Sequence, residues 1–81
     1  MKYVHPRYQR IIIDPDVCAG KPCIRSLRFP VTSLLAYLSS GVSYDELLAE
    51  FPFLEREDIF EALSFSSEML HESFFPLQKV A

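Results

Sequence analysis

The pattern of the sequence changes at Val31, and this change most constrains what the chain can fold into. Residues 10–30 hold a run of β-branched residues followed by Gly20, Pro22 and Pro30, which interrupt any helix in that stretch. From Val31 onward, apolar residues recur at the spacing of an amphipathic helix. The sequence therefore predicts a short β-strand arm over residues 10–30 and helices in the rest of the chain.

Three helices are expected after this arm, at about residues 31–39, 44–51 and 56–73. Gly41 stands where the first helix needs a C-cap, and Ser43 with Glu46 matches a capping box at the start of the second. On the third helix, steps of 100° per residue place one face toward the core. That face is made of Ile59, Ala62, Leu63, Ser66, Met69, Leu70 and Phe74.

The length of 81 residues leaves room for one domain. We expect residues 1–9 to be a flexible end, residues 10–75 to form the domain and residues 76–81 to be a C-terminal tail. Two short helices followed by a longer one are typical of a three-helix DNA-binding unit. The predicted fold class is therefore mainly α, a three-helix helix-turn-helix core with a short N-terminal β-strand arm.

The charges of the chain are divided along its length. Residues 1–30 carry six Lys or Arg and two acids, a net charge of +4, whereas residues 31–81 carry two Lys or Arg and nine acids, a net charge of −7. A basic segment of this kind can contact nucleic-acid phosphates, or its arginines can pair with carboxylates such as Asp14 and Asp16. The DNA-binding candidates are Arg10, Lys21, Arg25 and Arg28.

The third helix is acidic, which makes it a poor reader of a DNA groove lined by phosphates. Its acidic stripe is either a solvated outer face or a docking surface for a basic protein. Phe60 and Phe65 flank the predicted core face and either widen the core or anchor a partner, since aromatic residues concentrate at interfaces. The partner-protein candidates are Phe60, Glu61, Phe65, Glu68, Glu72 and, in the last apolar stretch, Phe74 and Phe75.

A homodimer is expected from the three consecutive isoleucines, Ile11, Ile12 and Ile13. They predict an edge strand that a small monomer covers poorly, and pairing with the same strand of a second copy would cover it.

The sequence contains no residue spacing that is typical of a catalytic site. His5 and His71 lie at opposite ends, and no Ser-His-Asp, Cys-His or paired-carboxylate spacing is present. Cys18 and Cys23 lack further ligands at zinc spacing, so reduced thiols are expected, with a short-loop disulfide as the alternative. The sequence thus predicts a protein that is not an enzyme and has no metal, cofactor or small-molecule substrate.

No apolar run approaches the roughly 20 residues of a membrane span, and the basic N-terminus lacks the apolar segment of a secretory signal. We therefore expect a cytoplasmic protein without membrane contact.

The densest basic stretch also carries a family resemblance. The run from Ile13 to Arg25, followed by Arg28-Phe29-Pro30-Val31, resembles the hallmark of domain-of-unknown-function family 433. The resemblance continues in order, without gaps, to about residue 70. Members of that family tend to have glycine at the position of Ala19 and Gly-Thr at the positions of Ser26 and Leu27.

This resemblance implies a homeodomain-like helix-turn-helix core and the role of an antitoxin similar to the VapB type. Such an antitoxin forms a dimer, neutralises a PIN-like ribonuclease toxin and represses its own operon by binding operator DNA. Two other interpretations stay open, a stand-alone DNA-binding transcriptional regulator and an orphan dimerisation module.

Overall fold

A sheet and three helices make up the computed structural model of the chain, which describes residues 1–71 and residue 79. The strands are β1 (Tyr3–Val4), β2 (Ile11–Ile13), β3 (Cys23–Ile24) and β4 (Phe29–Pro30). A single 3-10 turn, Cys18–Gly20, lies between β2 and β3. The helices are α1 (Val31–Ser39), α2 (Tyr44–Glu50) and α3 (Arg56–His71).

The four strands form one antiparallel sheet in the order β1-β2-β3-β4. The prediction of a mainly α, helix-turn-helix fold with a short β-strand arm is therefore wrong, because the N-terminal part of the chain forms a complete layer of an α and β structure. Strands of two or three residues are too short to show the period-2 alternation that identifies a strand in sequence. Even the segment expected to be a flexible end, residues 1–9, contributes the edge strand β1.

The inner face of the sheet and the three helices enclose the core. Ile11 of β2 pairs with Ile24 of β3, and both side chains are fully buried against the helices. The neighbouring pair, Ile12 and Cys23, lies one residue along each strand and therefore points to the opposite face. The buried side chains contributed by the helices and their connections are Val31, Leu34, Leu47, Leu54, Ile59, Ala62 and Phe65.

Helix starts and ends follow local rules in this chain. The Ser43 hydroxyl accepts a hydrogen bond from the Glu46 N–H, and the Glu46 carboxylate accepts one from the Ser43 N–H, each at 3.0 Å. The predicted capping box is thus confirmed. Gly41 follows α1 with a φ of 98°, the left-handed geometry that ends a helix.

Left-handed backbone is concentrated in the two connections that flank β3. Cys18, Ala19 and Gly20 have φ values of 51°, 55° and 77°, so the residue at position 19 adopts a conformation that glycine would occupy without strain. In the β3–β4 loop the left-handed residues are Arg25 and Arg28, with φ values of 47° and 57°. Ser26 is not among them, so its replacement of a family glycine requires no strained backbone.

The buried face of α3 is rotated from the predicted one. Asp58, Ile59, Ala62 and Phe65 are buried, whereas Leu63, Met69 and Leu70 are exposed. Phe65 is covered by the N-terminal segment, whose His5 and Tyr8 rings lie 5.5 and 6.0 Å from it. Of the two alternatives for Phe65, the burial of its side chain supports the one in which it widens the core.

Candidate functional site

A buried carboxylate at the start of α3 joins the helices to the sheet. Arg25 donates to both oxygens of Asp58, from Nε to Oδ1 at 3.0 Å and from Nη2 to Oδ2 at 2.7 Å. Arg10 donates from Nη1 to Oδ1 at 2.8 Å, and the Glu55 N–H donates to Oδ2 at 2.8 Å. We call these four residues, Asp58, Arg10, Arg25 and Glu55, the Asp58 cluster.

Both arginines make further hydrogen bonds to residues on the helical side. Arg10 donates to the Glu55 carboxylate at 2.6 Å, and its backbone N–H donates to Glu61 at 2.7 Å. Arg25 donates to the Phe53 carbonyl at 2.9 Å. Within the part of the chain that the structure describes, no buried side-chain polar atom is left unpaired. The Asp58 cluster thus connects the sheet to α3 through a hydrogen-bond network whose buried side-chain polar atoms are all paired.

The titration of Asp58 reflects two opposing effects. Burial alone would raise the pKa of this carboxyl, but hydrogen bonds from Arg25, the Glu55 N–H and Arg10 outweigh it, so the pKa lies below its usual value. Hydrogen bonds to Glu55 and Asp58 raise the pKa of Arg10, and the bond to Asp58 raises that of Arg25. All three groups are therefore charged at neutral pH.

The four DNA-binding candidates fall into two pairs according to whether they belong to the Asp58 cluster. Arg10 and Arg25 belong to the Asp58 cluster, whereas Lys21 and Arg28 are exposed. Both exposed residues adjoin the turn at Cys18, since the Lys21 N–H donates to the Cys18 carbonyl at 3.1 Å and the Cys18 thiol donates to the Arg28 carbonyl at 3.6 Å. Only Lys21 and Arg28 therefore present guanidinium or ammonium groups without a side-chain partner in residues 1–71.

The acidic candidates on α3 are also engaged within the chain. Glu61 accepts the Arg10 N–H, and Glu68 accepts from Arg7 Nε at 3.1 Å. The hydrogen bond from Arg7 lowers the pKa of Glu68. Glu72, Phe74 and Phe75 lie outside the described residues, as does most of the predicted tail at 76–81.

An exposed apolar stripe runs along the outer side of α3. Phe60, Leu63 and Leu70 are 50%, 37% and 60% exposed, and with Ser67 they follow the 3-4-3 spacing of a helix interface. We call these four residues the α3 stripe. The prediction that Leu63 and Leu70 belong to the core is wrong, because α3 has more apolar residues than one face can bury. Spacing alone does not separate this stripe from the buried face, because the predicted core residues from Ile59 to Met69 repeat at the same 3-4-3 spacing.

The isoleucine strand lies inside the sheet. β2 pairs with β1 on one side and with β3 on the other, so the expectation that it forms an edge is wrong. Ile11 is buried, and Ile12 and Ile13 are partly buried. Its backbone is not available to pair with a second copy, and the homodimer stays a prediction.

Thiol chemistry in the described region is confined to two free cysteines. Cys23 is buried, and this burial, together with contact with Cys18, raises the pKa of its thiol to about 11. Across residues 1–71 and residue 79, no three His, Cys, Asp or Glu side chains gather as metal ligands would. None of the helices in the described residues has the length and apolarity needed to cross a membrane.

Comparison with known proteins places this geometry in a family. The family model described as protein of unknown function (DUF433) matches residues 11–66, the stretch from β2 into α3 that contains Arg25 and Asp58. The chain is similar to the crystal structure of a DUF433 member protein from Anabaena variabilis, with 38% identity and a TM-score of 0.72. The similarity covers 78% of this chain and 62% of the other, so the chain spans less than two thirds of that relative. A search of curated proteins found no match.

Proposed function

The chain belongs to the DUF433 family, and from this premise we propose that it is a non-catalytic antitoxin, which binds and neutralises a PIN-like ribonuclease toxin in the bacterial cytoplasm. The family resemblance of the basic stretch suggests the role. The observation that supports it most directly is the α3 stripe, an apolar surface on a rigid helix that the described residues leave exposed.

The α3 stripe has the composition expected of a protein interface. Its aromatic member, Phe60, packs at one end against Tyr44, with ring centroids 5.9 Å apart, and still exposes half of its surface. Partly supported aromatic side chains of this kind serve as anchors, because they bury a large area at low cost in side-chain entropy. Leu63 and Leu70 extend the apolar surface along the helix, which gives a partner a continuous face to bury.

Charge has a secondary role in this proposal. Glu61 and Glu68 already bond to Arg10 and Arg7, so a toxin would have to break those contacts to pair with them. Unpaired rim charges chiefly affect the rate of association, whereas buried apolar anchors determine how slowly a complex dissociates. We therefore expect Phe60 and Leu70 to determine the affinity for the toxin.

Co-expression with the product of the neighbouring reading frame tests this function. The wild-type chain should co-purify with that protein and inhibit its ribonuclease activity. Phe60→Ser combined with Leu70→Ser should weaken binding by about 30-fold or more, the effect of losing a hot spot of about 2 kcal/mol. Val4→Ser, at a similarly exposed apolar residue on β1, should leave binding unchanged.

Either of two results would contradict the antitoxin proposal. One is a wild-type chain that neither binds nor inhibits the neighbouring protein. The other is a double variant that binds as tightly as the wild type while circular dichroism shows it folded.

A DNA-binding role is the second candidate, and the exposure of Lys21 and Arg28 favours it. Each phosphate contact contributes about 0.9 to the slope of log affinity against log salt concentration on duplex DNA. Lys21→Ala with Arg28→Ala should therefore reduce the slope measured on upstream DNA by about 1.8. A shallow slope in the wild type, or no reduction in the variant, would reject DNA binding through these two residues.

A further inference from the structure

The region from α1 to the start of α3 carries negative charge alone. Residues 31–55 include Asp45, Glu46, Glu50 and Glu55 and contain no Lys, Arg or His. Of these acids, Glu55 is paired with Arg10 and Asp45 with Arg56. Any ligand that docks on the surface of α1 and α2 is therefore selected for positive charge.

Four aromatic rings from three parts of the chain pack together next to α1 and α2. The rings of Phe29 and Tyr37 are both 5.0 Å from that of Phe51, and Phe53 lies 5.9 Å from Phe51. Tyr37 and Phe53 keep 42% and 47% of their surface exposed. The cluster thus exposes aromatic surface to solvent, and neighbouring rings hold that surface in place.

A groove between α1 and α2 brings these rings next to a carboxylate. It has a volume of about 440 Å³, and its lining includes Tyr37, Phe51, Glu46 and Glu50. Glu46 is occupied by the capping box, because its carboxylate accepts the Ser43 N–H. Glu50 is exposed and has no hydrogen bond or ion pair to any residue from 1 to 71. The groove therefore combines aromatic side chains with a carboxylate that has no partner among residues 1–71.

We propose that this groove binds an arginine side chain of a partner protein. A guanidinium is planar and weakly hydrated, so it stacks on an aromatic face while its N–H groups donate in pairs to a carboxylate. Tyr37 and Phe51 supply the faces and Glu50 the carboxylate. A nucleic acid would be repelled here, because both carboxylates of the groove face the solvent side of α2.

Space for the partner backbone lies beside the groove. A second depression of about 440 Å³ shares Tyr37 and is otherwise lined by the small residues Ser33, Ala36 and Ser40. Small side chains allow a peptide backbone to approach closely, with its arginine reaching over Tyr37 toward Glu50. This surface is separate from the α3 stripe, so the inference goes beyond the proposed function and holds whichever protein α3 binds.

Titration of the isolated chain with three matched probes tests the inference. The probes are N-acetyl amides of arginine, of citrulline, which has the same shape without the charge, and of lysine. We expect arginine to cause saturable NMR shifts at Tyr37, Glu50 and Phe51, with citrulline at least tenfold weaker and lysine several-fold weaker. Glu50→Gln and Tyr37→Leu should each reduce arginine affinity at least threefold, whereas the matched variants Glu57→Gln on α3 and Tyr3→Leu at an exposed tyrosine on β1 should leave it unchanged.

Three results would overturn the inference. They are the absence of saturable shifts in the groove, equal binding of citrulline, and unchanged binding to folded Glu50→Gln. Equal binding of lysine would reject the selection of a guanidinium. Because no toxin or DNA is present, failure here leaves the antitoxin test unaffected, and failure of that test leaves this one unaffected.

Discussion

Arg25 and Arg28 stand at the two ends of the same loop, and the structure uses them differently. Both have left-handed backbone, and both belong to the basic stretch that resembles the family hallmark. Arg25 reaches across to α3 and holds both oxygens of the buried Asp58, whereas Arg28 is exposed. The position of an acid 33 residues away, and not the local sequence, decides which arginine is structural.

This comparison also explains how a charged residue can sit fully buried beneath a small sheet. Asp58 accepts four hydrogen bonds, three of them from the guanidinium groups of Arg10 and Arg25, so the cost of removing it from water is offset by charge-assisted hydrogen bonds. Arg28 has no such partner among residues 1–71 and is exposed, so it can contact an external anion. Variants of Arg25 should therefore change the stability of the fold, whereas variants of Arg28 should change the binding of an external anion.

The largest effect is expected when the carboxylate of the Asp58 cluster is removed. Asp58→Asn leaves Arg10 and Arg25 without their shared counter-ion and should lower the free energy of unfolding by about 3 kcal/mol, measured by urea denaturation. This lies at the low end for a broken buried pair because both arginines are partly exposed. Asp45→Asn, which removes an exposed partner of Arg56, should cost less than about 1 kcal/mol. Equal effects of the two variants would show that the cluster adds nothing.

Acidification should reproduce part of this loss. The pKa of Asp58 is lower in the folded chain than its ordinary value of about 3.9, so its stabilising contribution is complete above that value. The contribution disappears as the pH falls through the folded pKa. The difference in unfolding free energy between wild type and Asp58→Asn should therefore be constant from pH 5 to 7 and narrow below about pH 4. A difference that stays constant down to pH 2 would contradict the assigned titration.

The smallest effects should come from changing the shape of each arginine while keeping its charge. Arg25→Lys loses the paired contact with Asp58 and should cost about 1.5 kcal/mol in urea denaturation. Arg28→Lys should change stability by less than about 0.5 kcal/mol, as is usual for exposed positions. Similar costs at the two positions would remove the distinction between them.

Sequence reasoning succeeded where the determinants are close together in the chain. Ser43 and Glu46 are three residues apart, and their capping box could be read directly. The sheet could not be predicted in the same way, because its strands have only two or three residues each and the segments that connect the first three contain prolines. The Asp58 cluster was missed for a related reason. Closeness in sequence pairs the arginines with Asp14 and Asp16, whereas their partner in the structure is Asp58 on α3.

The two faces of α3 show a different limit. Helical spacing locates an apolar face, but α3 has two, one centred on Ile59 and Ala62 and one on the α3 stripe. Which of them is buried depends on the sheet and on the segment of His5 and Tyr8 that covers Phe65. The sequence does not predict these elements, so the predicted core face correctly holds Ile59 and Ala62 but is rotated to include Leu63 and Leu70, which are exposed.

The distance along the chain between the members of the Asp58 cluster has a consequence for folding kinetics. Neighbouring strands are joined by short connections and can pair early, but Asp58 is 33 residues from Arg25 and 48 from Arg10. Its carboxylate loses water only when the helices close onto the sheet, which places this contact late on the folding route. Stabilisation gained after the transition state slows unfolding more than it speeds folding. The Asp58 cluster would then lengthen the lifetime of the folded chain more than it shortens the time needed to fold.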